Sequence, residues 1–198
     1  MFLRSDSLYH LYNQGNNRRN IFFSEGDFRT FINISKDRLL PFADVLAWCL
    51  MPNHFHLLIR PTEAGLIPKK VGNLTSTGIA NGMRLLQSQY GQFLNSRMGW
   101  SGSVFRQKAK WMEMTTILHS TVCFRYIHQN PIRSQLVLQA ENWPFSSLHL
   151  YSNGIDDGFC CSPLLTCSLL NRQPEELRRD IFSVLSQEEL AMVRPAFS

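Results

Sequence analysis

Two apolar runs broken by Pro52-Asn53 constrain this chain more than any other feature in it. "FADVLAWCLM" (42–51) and "HFHLLIR" (54–60) are rich in strand-forming residues, and a Pro-Asn pair between two such runs reads as the turn of a β-hairpin. In a strand, alternate side chains share a face, so His54 and His56 project together while Phe55 points the other way. Two imidazoles so placed can hold one divalent cation if a third ligand comes from elsewhere. Taken alone, the pattern more often describes a solvated hairpin mouth.

The remaining periodicities set a fold around this hairpin. "YHLYNQGN" (9–16) alternates like a strand and leads into an exposed basic loop, "NQGNNRRN". In "FFSEGDF", Ser24 can cap a helix with Asp27 three residues on, and Phe23 and Phe28 are spaced for a hydrophobic staple. That helix would run to about Leu40, before Pro41. A second helical pattern covers roughly Ile79 to Met98, weakened by Gly82 and Gly91. "SVFRQKAKWMEM" (103–114) alternates like a strand, with Arg106, Lys108 and Lys110 on one face and Phe105 and Trp111 on the other. "TTILHSTVCFRYIHQN" (115–130) is amphipathic and would close at Pro131.

This β-α-β-β-α-β-α order predicts an α+β fold, a split β-α-β sandwich with an antiparallel sheet and helices on one face. Beyond Trp143 the pattern turns polar, and "SPLLTCSLL" and "PEELRRDIFSVLSQEEL" predict short helices. The expected organisation is a domain over residues 1–151 and an acidic C-terminal helical tail over 152–198.

Charge distribution narrows the partner. Residues 64–135 hold nine Lys and Arg against one Asp or Glu, whereas residues 136–198 hold four against eight. A middle segment this one-sided suits a polyanion such as nucleic acid, since a merely solvated helix face mixes both signs. No apolar run approaches the roughly 20 residues of a membrane span, and no signal-peptide core is visible. Five cysteines without paired spacing fit a reducing compartment, so a cytoplasmic protein is expected.

"FRYIHQNP" adds the second chemical element. Tyr126 and Asn130 stand at i and i+4 and so stack on one helix face. The amide oxygen of Asn130 can serve as a cation ligand while the Tyr126 hydroxyl points at whatever the cation holds. From the residues alone, Tyr126 reads first as a core aromatic with a satisfied hydroxyl.

Together "YHLYNQGNNRRNIFF", "CLMPNHFHLLI", "RYIHQNPIRSQLV" and "WPFSSLHLY" resemble the single-tyrosine HUH transposases, most of all the REP-associated tyrosine transposases. The resemblance spans roughly residues 8–151. It implies a ferredoxin-like fold, His54 and His56 as the metal pair, Asn130 as the polar residue near the metal, and Tyr126 as nucleophile. It implies Mg²⁺ or Mn²⁺ as cofactor, and nicking of single-stranded or hairpin DNA through a 5′-phosphotyrosine that can be passed to another DNA end. The implied substrate is a REP-type palindromic hairpin, and a monomer in the bacterial cytoplasm, associated with the nucleoid, is favoured over a dimer. Two other readings stand beside this one: a domesticated hairpin DNA or RNA binder that does not cut, and a plasmid replication initiator or relaxase sharing the histidine pair.

DNA contacts are expected from Arg18 and Arg19 in the basic loop, from Arg106, Lys108 and Lys110, and from Arg133, mainly to phosphates. Asn16 and Asn17 can read bases or make turns. Trp100, Phe105 and Trp111 can stack unpaired bases, although Phe105 and Trp111 are expected in the core. Trp143 and Phe145 are expected to clamp the tail, and Cys160, Cys161 and Cys167 lack a zinc spacing. His10, His119, His128 and His149 read as structural. The acidic tail would either lie over the basic surface or dock for stability.

Overall fold

The computed structural model describes residues 3–155, 159 and 161–194; Cys160 and the tail's end, 195–198, lie outside them. In chain order the elements are β1 (Leu8–Gln14), α1 (Glu25–Arg38), β2 (Ala43–Met51), β3 (His54–Pro61), α2 (Glu63–Leu66), β4 (Pro68–Val71), β5 (Leu74–Thr77), α3 (Gly78–Met98), β6 (Lys110–Met114) and α4 (Ile117–Arg133). Short helices follow: α5 (Leu148–Asn153), α6 (Pro163–Leu170), α7 (Pro174–Phe182) and α8 (Gln187–Val193).

The expected hairpin forms, with Leu50 opposite Phe55 and Met51 opposite His54. The main sheet runs β2-β3-β1-β6 with every neighbouring pair antiparallel, so β1 lies between β3 and β6 in a split β-α-β arrangement. The α+β class, the antiparallel sheet and the C-terminal helical region are as the sequence predicts. Helices, however, flank the sheet on both faces rather than one. The cause lies in β2, whose apolar run is nearly continuous and therefore buries both sides. Val45, Trp48 and Leu50 enter a core with α1 and α3; Leu46, Ala47, Cys49 and Met51 enter a second core with α4. A register shift between Val45 and Ala47 puts two successive residues, Leu46 and Ala47, into that second core.

Ser24 and Asp27 form the capping box that starts α1. The staple differs from expectation: Phe28 stacks on Phe22 at 4.5 Å between ring centroids, while Phe23 turns to Trp100 at 5.7 Å. Gly82, which weakens α3 as an isolated helix, is needed where α3 crosses α1, because a Cβ there would collide with the Arg38 carbonyl oxygen. The α2 turn and the β4–β5 hairpin, inserted before α3, were not expected from the sequence.

Two further expectations are corrected. Helix α4 does not close at Pro131 but continues to Arg133. Proline removes one ladder donor, and the buried environment of Pro131 and Asn130 holds the helix through it. Strand β6 begins only at Lys110, so Arg106 and Lys108 belong to no strand. The chain there follows the end of β1, with the Arg106 amide donating to the Gln14 carbonyl at 3.0 Å, and then bends away. Phe105 is buried in the first core and Trp111 packs against it, as expected. In the tail, Leu177, Ile181, Leu190 and Val193 join the core beneath α4.

Candidate active site

The α4-facing side of the sheet gathers the chemistry. Residues of period two along β1 place Leu8, His10 and Tyr12 there; β3 contributes His54, His56 and Leu58, and β6 contributes Lys110, Met112 and Met114. Tyr12 lies directly opposite both His56 and Lys110, giving a cross-strand row His56–Tyr12–Lys110. Helix α4 lays Tyr126 over this face. The Tyr126 ring centroid is 5.5 Å from that of His56 and 6.0 Å from that of His10, both edge-on. The rings of His54 and His56 are 4.8 Å apart. The structure therefore brings the two histidines and the tyrosine singled out in the sequence to one place.

The sequence marks His10 as merely structural, yet it is part of this cluster. Its Nε2 lies 2.9 Å from His56 Nδ1 in a fully buried contact. A neighbour across two strands cannot be found from spacing within one. The available signal was that His10 shares the face of Leu8 and Tyr12, once β1 is paired with β3.

Burial pushes all three imidazoles toward the neutral form. His10 is lowered to about 3 and His54 to about 4; His56 lies well below the ordinary range, with His54 and His10 adding to the burial effect. At neutral pH each ring thus keeps one bare nitrogen. The Asn53 amide oxygen lies 2.5 Å from His54 Nδ1 and can only accept, so that nitrogen carries the proton and Nε2 the lone pair. Tyr126 is buried, with 7 % of its surface exposed, and its hydroxyl is pushed up to about 12. Burial is the main cause. Arg133 and Arg194 pull the other way, as does the Asn130 amide beside the hydroxyl, and Cys123 adds a little to the rise.

Two neutral imidazoles with bare nitrogens suit a divalent cation that needs about three protein ligands. Among the described residues no three His, Cys, Asp or Glu side chains are arranged around a common cation position. The expected set holds only two such groups and completes itself with an amide. Asn130 is buried on the same α4 face as Tyr126, and its Nδ2 donates to the Tyr126 carbonyl at 2.9 Å. With the amide nitrogen so engaged, Oδ1 is the atom left to serve as a ligand.

The expected nucleic-acid contacts divide. Arg18 is exposed in a turn, and its carbonyl accepts from Asn53 Nδ2 at 3.2 Å, tying the basic loop to the turn that carries His54. Arg19 is held more firmly, 4.8 Å over the Trp100 ring and donating to the Ser103 carbonyl at 2.8 Å. Asn16 is half-buried, its amide donating to the Val104 carbonyl. Gly15 beside it admits no side chain, since a Cβ would meet the Arg19 carbonyl oxygen. Arg106, Lys108 and Arg133 are exposed, and Lys110 is half-buried in the row with His56.

The tail does not depend on surface charge alone for its position. Arg125, next to Tyr126 in sequence, pairs with Glu189 of α8 at 2.6 Å, and Gln129 donates to the Ile181 and Ser183 carbonyls at 2.8 and 2.7 Å. His128 is structural: Nδ1–H donates to the Phe124 carbonyl at 2.9 Å, leaving Nε2 to accept from the Ser147 hydroxyl at 2.8 Å. That hydroxyl in turn accepts from the Trp48 amide at 2.9 Å, fastening α4 to β2.

No protein-family model matches the sequence, and no curated protein matches it. Solved structures do. One described as a REP-associated tyrosine transposase bound to a REP hairpin aligns with a TM-score of 0.56 at 18% sequence identity, over 82% of this chain and 88% of that one. At that identity the likeness is one of fold.

Proposed function

We propose that this protein is a metal-dependent DNA nicking and strand-transfer enzyme of the tyrosine-transposase type, acting on single-stranded or hairpin DNA. The observation that carries the reading is the approach of the Tyr126 ring to within 5.5 Å of His56 on a face that also holds His54 and Lys110. The likeness to a transposase bound to a REP hairpin supports a palindromic DNA hairpin as substrate. A monomer working in the cytoplasm is part of the same proposal.

In this mechanism Tyr126 Oη attacks the scissile phosphorus. The bond to the 3′ oxygen breaks, and the phenol proton is lost to water as that oxygen takes one up. The products are a 5′-phosphotyrosine and a free 3′-hydroxyl. Because the new bond is again a phosphodiester, attack by another 3′-hydroxyl reverses the step and joins strands without ATP. A divalent ion, Mg²⁺ or Mn²⁺, held by His54, His56 and Asn130, would supply charge neutralisation at the phosphate. His54 and His56 stay neutral and so keep their lone pairs. Helix α4 holds the phenol over them, which supplies alignment, and Arg133 at its end favours the phenolate. Arg18, Arg106 and Lys108 would neutralise flanking phosphates.

A second reading, a hairpin DNA or RNA binder that does not cut, is favoured by the burial of Tyr126 and its raised pKa. One experiment separates the two. Labelled hairpin oligonucleotides are incubated with Mn²⁺ or Mg²⁺ and either wild type or Tyr126→Phe. Covalent protein–DNA adducts are expected for wild type alone, with binding kept in the variant. Binding without adducts in both would favour the second reading, and adducts in the variant would exclude Tyr126 as nucleophile.

A further inference from the structure

We infer that His10 is a positioning residue for His56: through the contact between His10 Nε2 and His56 Nδ1 it fixes the ring and tautomer of His56, so that Nε2 is the nitrogen that offers a lone pair to a cation. This rests on the metal-assisted reading above and deepens it.

Geometry carries the inference. His10 lies opposite Leu58 and reaches His56 diagonally across the β1–β3 pair, Tyr12 being the residue directly opposite His56. Between two neutral imidazoles a 2.9 Å contact carries one proton. A lone pair at His56 Nε2 requires that proton on His56 Nδ1, with His10 Nε2 accepting and the proton of His10 on its own Nδ1. That Nδ1 is buried and has no hydrogen-bond partner among the described residues. Leaving it so costs on the order of 1–3 kcal/mol. A residue serving packing alone would not carry that penalty, since Leu or Phe fills such a space without it. His128 shows what a structural histidine looks like in this fold: both its nitrogens bond to the scaffold. Among the described residues, the one hydrogen-bond partner of His10 is His56.

The test uses the full chain. Long-range ¹H–¹⁵N spectra of metal-free wild type, with ¹⁵N-labelled histidine, report the His56 tautomer directly. The expected result is a protonated Nδ1 and a bare Nε2; the opposite tautomer overturns the inference. Mn²⁺ titrations followed by EPR then compare wild type, His10→Phe, which keeps a ring but removes the acceptor, and His10→Gln, which restores an amide oxygen. His10→Phe should bind Mn²⁺ about 10- to 100-fold more weakly, with His10→Gln closer to wild type. Equal affinity and an unchanged tautomer in His10→Phe overturn the proposal. Should the Phe variant fail to fold, the wild-type spectrum and the Gln variant decide. If wild type binds no Mn²⁺ at all, the metal-assisted reading fails, while the tautomer still judges His10 separately.

Discussion

Arg125 Nη1 and Glu189 Oε1 meet at 2.6 Å, joining the helix that carries Tyr126 to α8. The pair is largely shielded, with side chains 11% and 25% exposed, and Arg125 also donates to the Ser183 and Val184 carbonyls at 3.1 and 3.0 Å. A charge-assisted contact of this kind is worth more than a surface ion pair. Arg125→Ala strands both the carboxylate and two carbonyls, so it should cost about 3 kcal/mol; Glu189→Gln keeps a hydrogen bond and should cost about 1 kcal/mol. Urea unfolding of both variants checks the order. Equal and negligible losses would show that the tail is held by its buried apolar side chains alone.

Burial of Tyr126 sets a pH dependence for the proposed nicking. The hydroxyl is pushed up to about 12, so at any lower pH less phenolate is present than for an exposed tyrosine. Single-turnover adduct formation should therefore keep rising through pH 10, where an unshifted phenol would level off. Arg133 holds the value down, so Arg133→Gln should raise it further and slow the reaction at fixed pH, by about threefold at low salt and less at high salt. A plateau below pH 9 would mean that another group controls the rate.

How much of this was legible in the sequence depends on the range of the interaction. Period two in "HFHLLIR" put His54 and His56 on one face, and spacing four put Tyr126 and Asn130 on another; both are local and both hold. The capping box of Ser24 and Asp27 is local too. The errors arise where tertiary packing decides. Pro131 breaks a helix in isolation, but here Pro131 and the residue before it, Asn130, are both buried within α4. Alternation in "SVFRQKAKW" looked like a strand, yet β1 offers pairing partners only as far as Lys110 in the main ladder, with one further bridge at Gly15–Phe105. The role of His10 is not legible in the sequence because its partner sits on another strand, and no periodicity within β1 points to it.

His128 predicts an acid weakness. Burial lowers it to about 3 in the fold, with its bond to the Phe124 carbonyl opposing, against an ordinary 6.5 when unfolded. Above pH 6.5 both states are neutral and stability is unaffected. Below it the unfolded chain takes up a proton that the folded chain refuses, so stability falls by about 1.4 kcal/mol per pH unit for this one group until about pH 3. His128→Gln should be less stable at pH 7, since the bond from the Ser147 hydroxyl to Nε2 is lost, but its loss between pH 6 and 4 should be shallower by that slope. Parallel slopes in urea titrations of the two proteins would mean that His128 is charged in the fold.

Two glycines of α3 should respond to the same substitution with opposite signs. Both sit inside a helix, where alanine is favoured by about 1 kcal/mol over glycine. At Gly91 an added methyl would lie 3.7 Å from the Val104 side chain, an ordinary contact, so Gly91→Ala should stabilise by roughly the propensity gain. At Gly82 the methyl would run into the Arg38 carbonyl oxygen at the end of α1. Backbone cannot swing aside as a side chain can, so the two helices must separate, and Gly82→Ala should lose about 3 kcal/mol despite the same propensity gain. Thermal unfolding of the two variants reads the signs directly. A stabilised Gly82→Ala would mean that α1 and α3 cross farther apart than this geometry requires.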